Sequence, residues 1–198
     1  MRIATGLTMS LVLAASVAGT EAQPRRLALG ATRPQLDFRL LDGKPGPSWD
    51  ELRGQVVVAD FWATWCEPCV AAIPHLNGLR KQLANERVQF FAITYEPPAK
   101  VRAFLVKHPI DTVVGIDHDL STFSSFIAWG IPMSVVLDRN GKVAAVIHPK
   151  DLTAEVIRTV LAGRLPDVPP HPGWDDPPGA AKYFREQLEQ DRAKYGND

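Results

Sequence analysis

Two apolar runs mark the centre of the predicted fold. Val56–Phe61 is a nearly unbroken apolar run of strand length, which is typical of a strand covered on both faces of a sheet. Val88–Thr94 has the pattern of a second central strand, and a helix is predicted between the two, from about Cys66 to Leu83. A strand, a helix and a further strand in this order favour an α/β fold.

Weaker patterns complete this prediction. Leu36–Leu40 alternates apolar and polar residues, and Asp42-Gly43 is a turn signal, so we expect an N-terminal β-hairpin. Met133–Leu137 and Lys142–Ile147 flank a second turn signal and predict another hairpin. The remaining predicted elements are a strand, Thr112–Ile116, and three helices, Pro98–Lys107, Leu120–Trp129 and Thr153–Leu161. The expected architecture is a mixed central sheet flanked by helices.

The N-terminus has the form of an export signal. Met1-Arg2 is followed by a short apolar stretch and then by small residues, so residues 1–22 are predicted to be a signal peptide. The apolar stretch is short for a bilayer span, although an uncleaved membrane anchor is the alternative. The expected location is therefore periplasmic or secreted, with no stable membrane insertion if the signal is cleaved. The main domain is expected to follow at 27–165.

The composition changes near the C-terminus. Six of the thirteen residues in 166–178 are proline, which predicts a stiff linker. Residues 179–198 are then predicted to form a helical tail, with Ala180, Phe184 and Leu188 in one apolar stripe. Docking of this helix on its own domain is favoured, and partner binding or a frayed tail are the alternatives. We expect the active site to be built from residues 60 to 132, so that deletion after Gly163 leaves activity nearly unchanged.

Charge and cysteine content narrow the chemistry. The 22 basic and 22 acidic residues cancel, so the composition does not predict a nucleic-acid partner. The two cysteines, Cys66 and Cys69, lie three positions apart and cannot staple distant segments. Zinc would need further ligands, and the five histidines share no ligand spacing, so no metal or other cofactor is predicted. A local redox pair is the favoured interpretation.

The position of this pair suits thiol chemistry. Cys66 is expected at a helix N-terminus, where free N–H groups and the helix dipole favour a thiolate. It should therefore be the more acidic and more exposed sulfur, with Cys69 resolving the mixed disulfide that it forms. Pro68 suits the first helical turn, where no N–H is needed. Trp65 is expected to shield the thiolate and to offer apolar contact to a protein substrate.

Several separated motifs resemble one protein family. Phe61–Cys69 is close to the active-site string of TlpA-like proteins, the branch of the thioredoxin superfamily that includes the ResA-type and DsbE-type proteins. Residues 37–44 and 52–54 resemble the N-terminal hairpin of this family, and 130–132 with 136–141 resemble its second active-site segment. The resemblance spans 29–161 and implies a thioredoxin-like fold, in which 100–118 corresponds to the TlpA-type insertion.

The resemblance also implies roles for single residues. Cys66 corresponds to the nucleophile and Cys69 to the resolving thiol. Pro132 corresponds to a cis-proline that faces the cysteines, which leaves the backbone of Ile131 free to pair with a substrate chain. Asp60 corresponds to the buried carboxylate of thioredoxins, whose raised pKa would let it exchange a proton with Cys69. Substrate contact is expected at Trp65, Glu67, Pro68 and Ile131.

The resemblance predicts a protein disulfide reductase that a membrane thiol donor recharges, in cytochrome c maturation or related envelope thiol homeostasis. A disulfide oxidase or isomerase on the same fold is an alternative, as is a binding module with vestigial cysteines. A peroxiredoxin would need a proline and a threonine where Ala59 and Ala63 stand. Protein thiols and disulfides are therefore the expected substrates.

Overall fold

A computed structural model describes residues 27–32, 34–168 and 179–196. Within these ranges lie six strands, β1 (Arg39–Leu40), β2 (Val56–Phe61), β3 (Val88–Thr94), β4 (Val113–Ile116), β5 (Met133–Leu137) and β6 (Val143–Ile147). The same ranges contain five α-helices, α1 (Glu67–Gln82), α2 (Pro98–Leu105), α3 (Ser121–Phe126), α4 (Ala154–Leu161) and α5 (Ala180–Tyr195). The signal peptide predicted at 1–22 lies outside the described residues, as do residues 169–178 of the predicted linker.

The strands form one mixed sheet in the order β1-β4-β3-β2-β5-β6. Strand β2 lies at its centre, parallel to β3 and antiparallel to β5. All six residues of β2 are buried, as the continuous apolar run predicts for a strand with neighbours on both edges and cover on both faces. The predicted mixed sheet flanked by helices is therefore confirmed.

Successive side chains of β2 alternate between the two faces of the sheet. Val57, Ala59 and Phe61 join a core that also contains apolar residues of α2, α3 and α5. Val56 and Val58 join the opposite core, which α1 and α4 complete.

No helix in the three described ranges is long and apolar enough to cross a membrane.

Two predicted elements are shorter than expected. The N-terminal hairpin is reduced to β1 and a single bridge between Arg39 and Pro45. The segment after the turn cannot form a longer strand with β1, because Pro45 and Pro47 have no backbone N–H to donate to strand hydrogen bonds. Helix α3 ends at Phe126 rather than near Trp129, since the next residue, Ile127, takes a left-handed backbone conformation with φ of 53°.

The sheet register places two loops side by side. Phe61, the last residue of β2, pairs with Met133, the first residue of β5. The loop that leaves β2 toward α1 therefore adjoins the loop that enters β5. The first loop carries two tryptophans and Cys66, and the second carries Pro132. This end of the sheet is where the candidate site forms.

Candidate active site

Cys66 and Cys69 form a disulfide at the start of α1. The S–S distance is 2.02 Å and the Cα–Cα distance is 5.2 Å. Cys66 is the N-cap of the helix, and the backbone N–H of Cys69 donates to its Sγ at 3.3 Å. Pro68 occupies the first turn, where its missing N–H costs no hydrogen bond. The Cys66 sulfur therefore lies where the N–H groups of α1 point, which favours its negatively charged form.

The exposure of the pair differs from the prediction. Cys66 and Cys69 are both 3% exposed, so the expectation that Cys66 is the more accessible residue is wrong for the disulfide form. The ring that the disulfide closes brings both sulfurs against the same core. The neighbouring residues Glu67 and Pro68 are exposed, and Trp65 is 43% exposed. These three residues form the exposed rim around the buried disulfide.

Trp65 is fixed in place despite its exposure. Its Nε1 donates to the hydroxyl of Tyr95 at 2.8 Å, and Tyr95 itself is fully buried at the end of β3. Trp62, by contrast, is 2% exposed and belongs to the core. The two tryptophans of the motif therefore differ in role: Trp62 packs inside, and Trp65 presents an oriented ring at the surface.

The loop before β5 contains a cis peptide bond, between Ile131 and Pro132. Pro132 is buried and Ile131 is partly exposed, and Ile131, Gly130 and Trp65 line one open groove. The structure thus brings the second predicted active-site segment next to the first. The substrate-contact roles of these residues stay predictions.

Asp60 lies behind the disulfide. Its side chain accepts a hydrogen bond from the Ser134 hydroxyl at 2.7 Å, across the pairing of β2 and β5. Burial raises the pKa of Asp60 to about 7, and the hydrogen bond from Ser134 offsets part of this rise. Asp60 and Cys69 line the same cavity of about 20 Å³. A carboxyl with this pKa can both accept and return a proton near neutral pH.

A second buried carboxylate was not assigned a role from the sequence. Glu96 is fully buried and accepts hydrogen bonds from Thr64, at 2.6 Å from the backbone N–H and 2.7 Å from the hydroxyl. Lys100 forms an ion pair with Glu96 at 2.7 Å and with Asp191 of α5 at 2.8 Å. These polar contacts connect Thr64, which lies two residues before Cys66 in the same loop, to the C-terminal helix α5. The sequence signal that could have identified it is the position of an acid between a buried strand and a proline, in Tyr95-Glu96-Pro97.

The C-terminal helix also reaches the site through aromatic packing. Phe184 is 3% exposed, and its ring centroid lies 5.3 Å from Tyr95, 5.6 Å from Trp129 and 6.4 Å from Trp65. Leu188, one turn further along the predicted stripe, is buried in the same core. Helix α5 therefore supports the loop that carries Trp65, a contact that the expectation of a site built from residues 60 to 132 did not include.

No group of three or more histidine, cysteine, aspartate or glutamate side chains within 27–32, 34–168 and 179–196 is arranged to hold a metal ion. What the described residues do bring together is a cysteine pair and a nearby carboxyl.

Comparison with known proteins agrees with this chemistry. The model of the AhpC/TSA family matches residues 31–146. A thiol-disulfide oxidoreductase ResA from Geobacillus thermodenitrificans is 29% identical over 122 residues, covering 61% of this chain and 70% of that protein. A ResA from Bacillus cereus is 26% identical over 153 residues, covering 77% and 85%.

Solved structures share the fold. A thiol:disulfide interchange protein of the thioredoxin family from Chlorobium tepidum is 27% identical, with a TM-score of 0.57 and coverage of 68% of this chain and 98% of that chain. The predicted resemblance to ResA-type and DsbE-type proteins and the predicted thioredoxin-like fold are confirmed. The family match ends at residue 146, so α5 lies beyond it.

Proposed function

We propose that this chain reduces disulfides of other proteins in an extracytoplasmic compartment. The premise is that the chain belongs to the AhpC/TSA family and is a thiol–disulfide oxidoreductase. The observation that carries the proposal is the Cys66–Cys69 disulfide at the N-terminus of α1, with a helix N–H donating to the Cys66 sulfur. The ResA relatives are named thiol-disulfide oxidoreductases, the class of enzyme to which the proposed reaction belongs.

The reaction begins with the reduced dithiol. The Cys66 thiolate attacks one sulfur of the substrate disulfide, the substrate S–S bond breaks, and the other sulfur leaves as a thiolate that takes up a proton. Cys69 then loses its proton, with the Asp60 carboxylate as the acceptor, and attacks the Cys66 sulfur of the mixed disulfide. The second substrate thiol is released and the Cys66–Cys69 disulfide forms. Two electrons pass from the dithiol to the substrate.

The surroundings of the disulfide assign the remaining roles. Trp65, Glu67 and Pro68 form the exposed rim that a substrate meets. Ile131, which precedes the cis-proline Pro132, lines the groove beside Trp65, where an extended substrate segment can pair with its backbone. Re-reduction of the disulfide needs an external dithiol, and a membrane thiol donor supplies it in this proposal. Such a protein would serve cytochrome c maturation or related envelope thiol homeostasis.

The residues between the cysteines favour a reductant. Strong oxidants of this superfamily owe their potential to an unusually stable thiolate. Here the intervening residues are Glu67 and Pro68. The negative charge of Glu67 disfavours the Cys66 thiolate and so lowers the potential slightly. We therefore expect a potential of about −270 mV, near that of thioredoxin.

Redox equilibration against glutathione tests the proposal. The oxidised and reduced fractions are separated by alkylation and mass spectrometry over a series of buffer potentials. A midpoint near the thioredoxin value supports a reductase. A midpoint above about −180 mV would reject the reductase and support an oxidase or isomerase. Failure of the dithiothreitol-charged protein to reduce insulin would instead indicate a binding module.

A further inference from the structure

We infer that α5 completes the substrate site, and that Tyr183 and Trp65 together form a subsite for an apolar side chain next to the reacting cysteine of a protein substrate. The inference rests on the proposed function and names the class of polypeptide that the site selects. It assigns a specificity role to a helix that lies beyond the family match.

The groove has two walls from distant parts of the chain. Trp65, Gly130 and Ile131 line one side, and Ala180 and Tyr183 of α5 line the other. The groove measures about 420 Å³, within the range of roughly 300–1,000 Å³ that is typical of ligand sites. None of its lining residues carries a charge. Its chemistry therefore fits an apolar occupant.

Two exposed aromatic rings form the mouth of this groove. Trp65 is 43% and Tyr183 is 46% exposed, and their ring centroids lie 6.1 Å apart at an interplanar angle of 86°. The neighbouring Phe184 is buried in the core and anchors this part of α5. The hydrogen bond from Trp65 to Tyr95 fixes the partner ring. Both rings are thus held in place and still present a face to solvent.

The position of the groove identifies its occupant. Trp65 precedes Cys66 directly, and Ile131 precedes the cis-proline. A disulfide that reacts with Cys66 must bring its flanking polypeptide over these residues. Two ordered aromatic rings beside the reacting sulfur bind an apolar or aromatic side chain of that polypeptide, because such contacts combine area burial with ring packing.

Two synthetic peptide disulfides test this assignment. They share one sequence except beside the cysteine, where one carries phenylalanine and the other glycine. The kcat/KM of the reduced wild-type protein should favour the phenylalanine peptide by about 3- to 10-fold, since an aromatic contact contributes this much to binding. Tyr183→Ala should remove most of this preference, and Tyr183→Phe should keep it.

Lys182→Ala is the matched control, since Lys182 is an exposed residue beside Tyr183 and does not line the groove. It should keep the wild-type preference. Equal kcat/KM values for both peptides with wild-type protein would overturn the inference, as would an undiminished preference in Tyr183→Ala.

A redox-inert measurement separates this inference from the proposed function. Peptides with serine in place of cysteine are titrated against the oxidised protein, and backbone NMR shifts report where they bind. Stronger binding of the phenylalanine peptide, with shifts at Trp65 and Tyr183, supports the inference even if the measured potential is that of an oxidant. Absence of a difference between the two peptides rejects it even if insulin reduction is fast.

Discussion

Replacement of Asp60 by asparagine should stabilise the protein in alkaline solution. The Asp60 carboxyl is buried, and its pKa rises from 3.8 to about 7 on folding. The folded state therefore holds a proton that the unfolded state has released between these two pKa values. Stability falls as the pH rises through this window and becomes constant above it. An asparagine side chain has no ionisable group, so this loss disappears in the variant.

The size of the effect follows from the pKa values. One pKa unit corresponds to about 1.36 kcal/mol, so the rise from 3.8 to about 7 makes ionised Asp60 cost about 4 kcal/mol. The asparagine retains an oxygen that can accept the hydrogen bond from Ser134. The gain of Asp60→Asn over wild type should therefore be about 4 kcal/mol larger at pH 8 than at pH 4.

Urea unfolding of the oxidised proteins at both pH values measures this difference. Asp167→Asn removes a carboxyl from an exposed position and should follow wild type at each pH, since surface substitutions of this kind have small effects. The free energy of unfolding that Asp60→Asn gains over wild type could instead change by less than about 1 kcal/mol between pH 4 and pH 8. That result would refute the claim that Asp60 is buried with a raised pKa. Disulfide exchange in the same variant should slow, because Cys69 loses its proton acceptor.

Two further predictions concern α5. Phe184→Ala should lower the free energy of unfolding by about 3–5 kcal/mol, as for other buried phenylalanines, and an unchanged urea midpoint would contradict the packing of α5 on the core. Asp191→Asn should cost about 1–3 kcal/mol, because Lys100 is only 18% exposed and loses one of its two charged partners. Glu189→Gln, an exposed change on the same helix, is the control, and equal melting curves for the two variants would contradict the second prediction.

Local sequence patterns sufficed for the centre of the fold. Val56–Phe61 is apolar on both faces, so its continuous pattern could only suit a central strand, and β2 occupies that place. The start of α1 could likewise be predicted from the cysteine pair, because Pro68 and the N-cap position of Cys66 are local features. Patterns of this kind depend on residues that are near one another in the chain.

Contacts between distant segments were not accessible in this way. Asp191 meets Lys100 across 91 positions, and no local pattern at either residue points to the other. The stripe of α5 predicted a docked helix, but its target beside Trp65 depends on how β3 and the loop after β2 converge. Strand β1 likewise pairs with β4, which lies more than 70 residues later in the chain, and no local pattern indicates this pairing.

The order in which the two cysteines react tests the central claim most directly. Reduced Cys66→Ser and Cys69→Ser variants are mixed with a peptide disulfide, and intact mass spectrometry follows the mixed disulfide in each. Exchange led by Cys66 predicts that Cys69→Ser accumulates a stable adduct with one peptide thiol and that Cys66→Ser remains largely unmodified. Faster adduct formation on Cys69 in the Cys66→Ser variant would contradict the account and assign the nucleophile to the second cysteine.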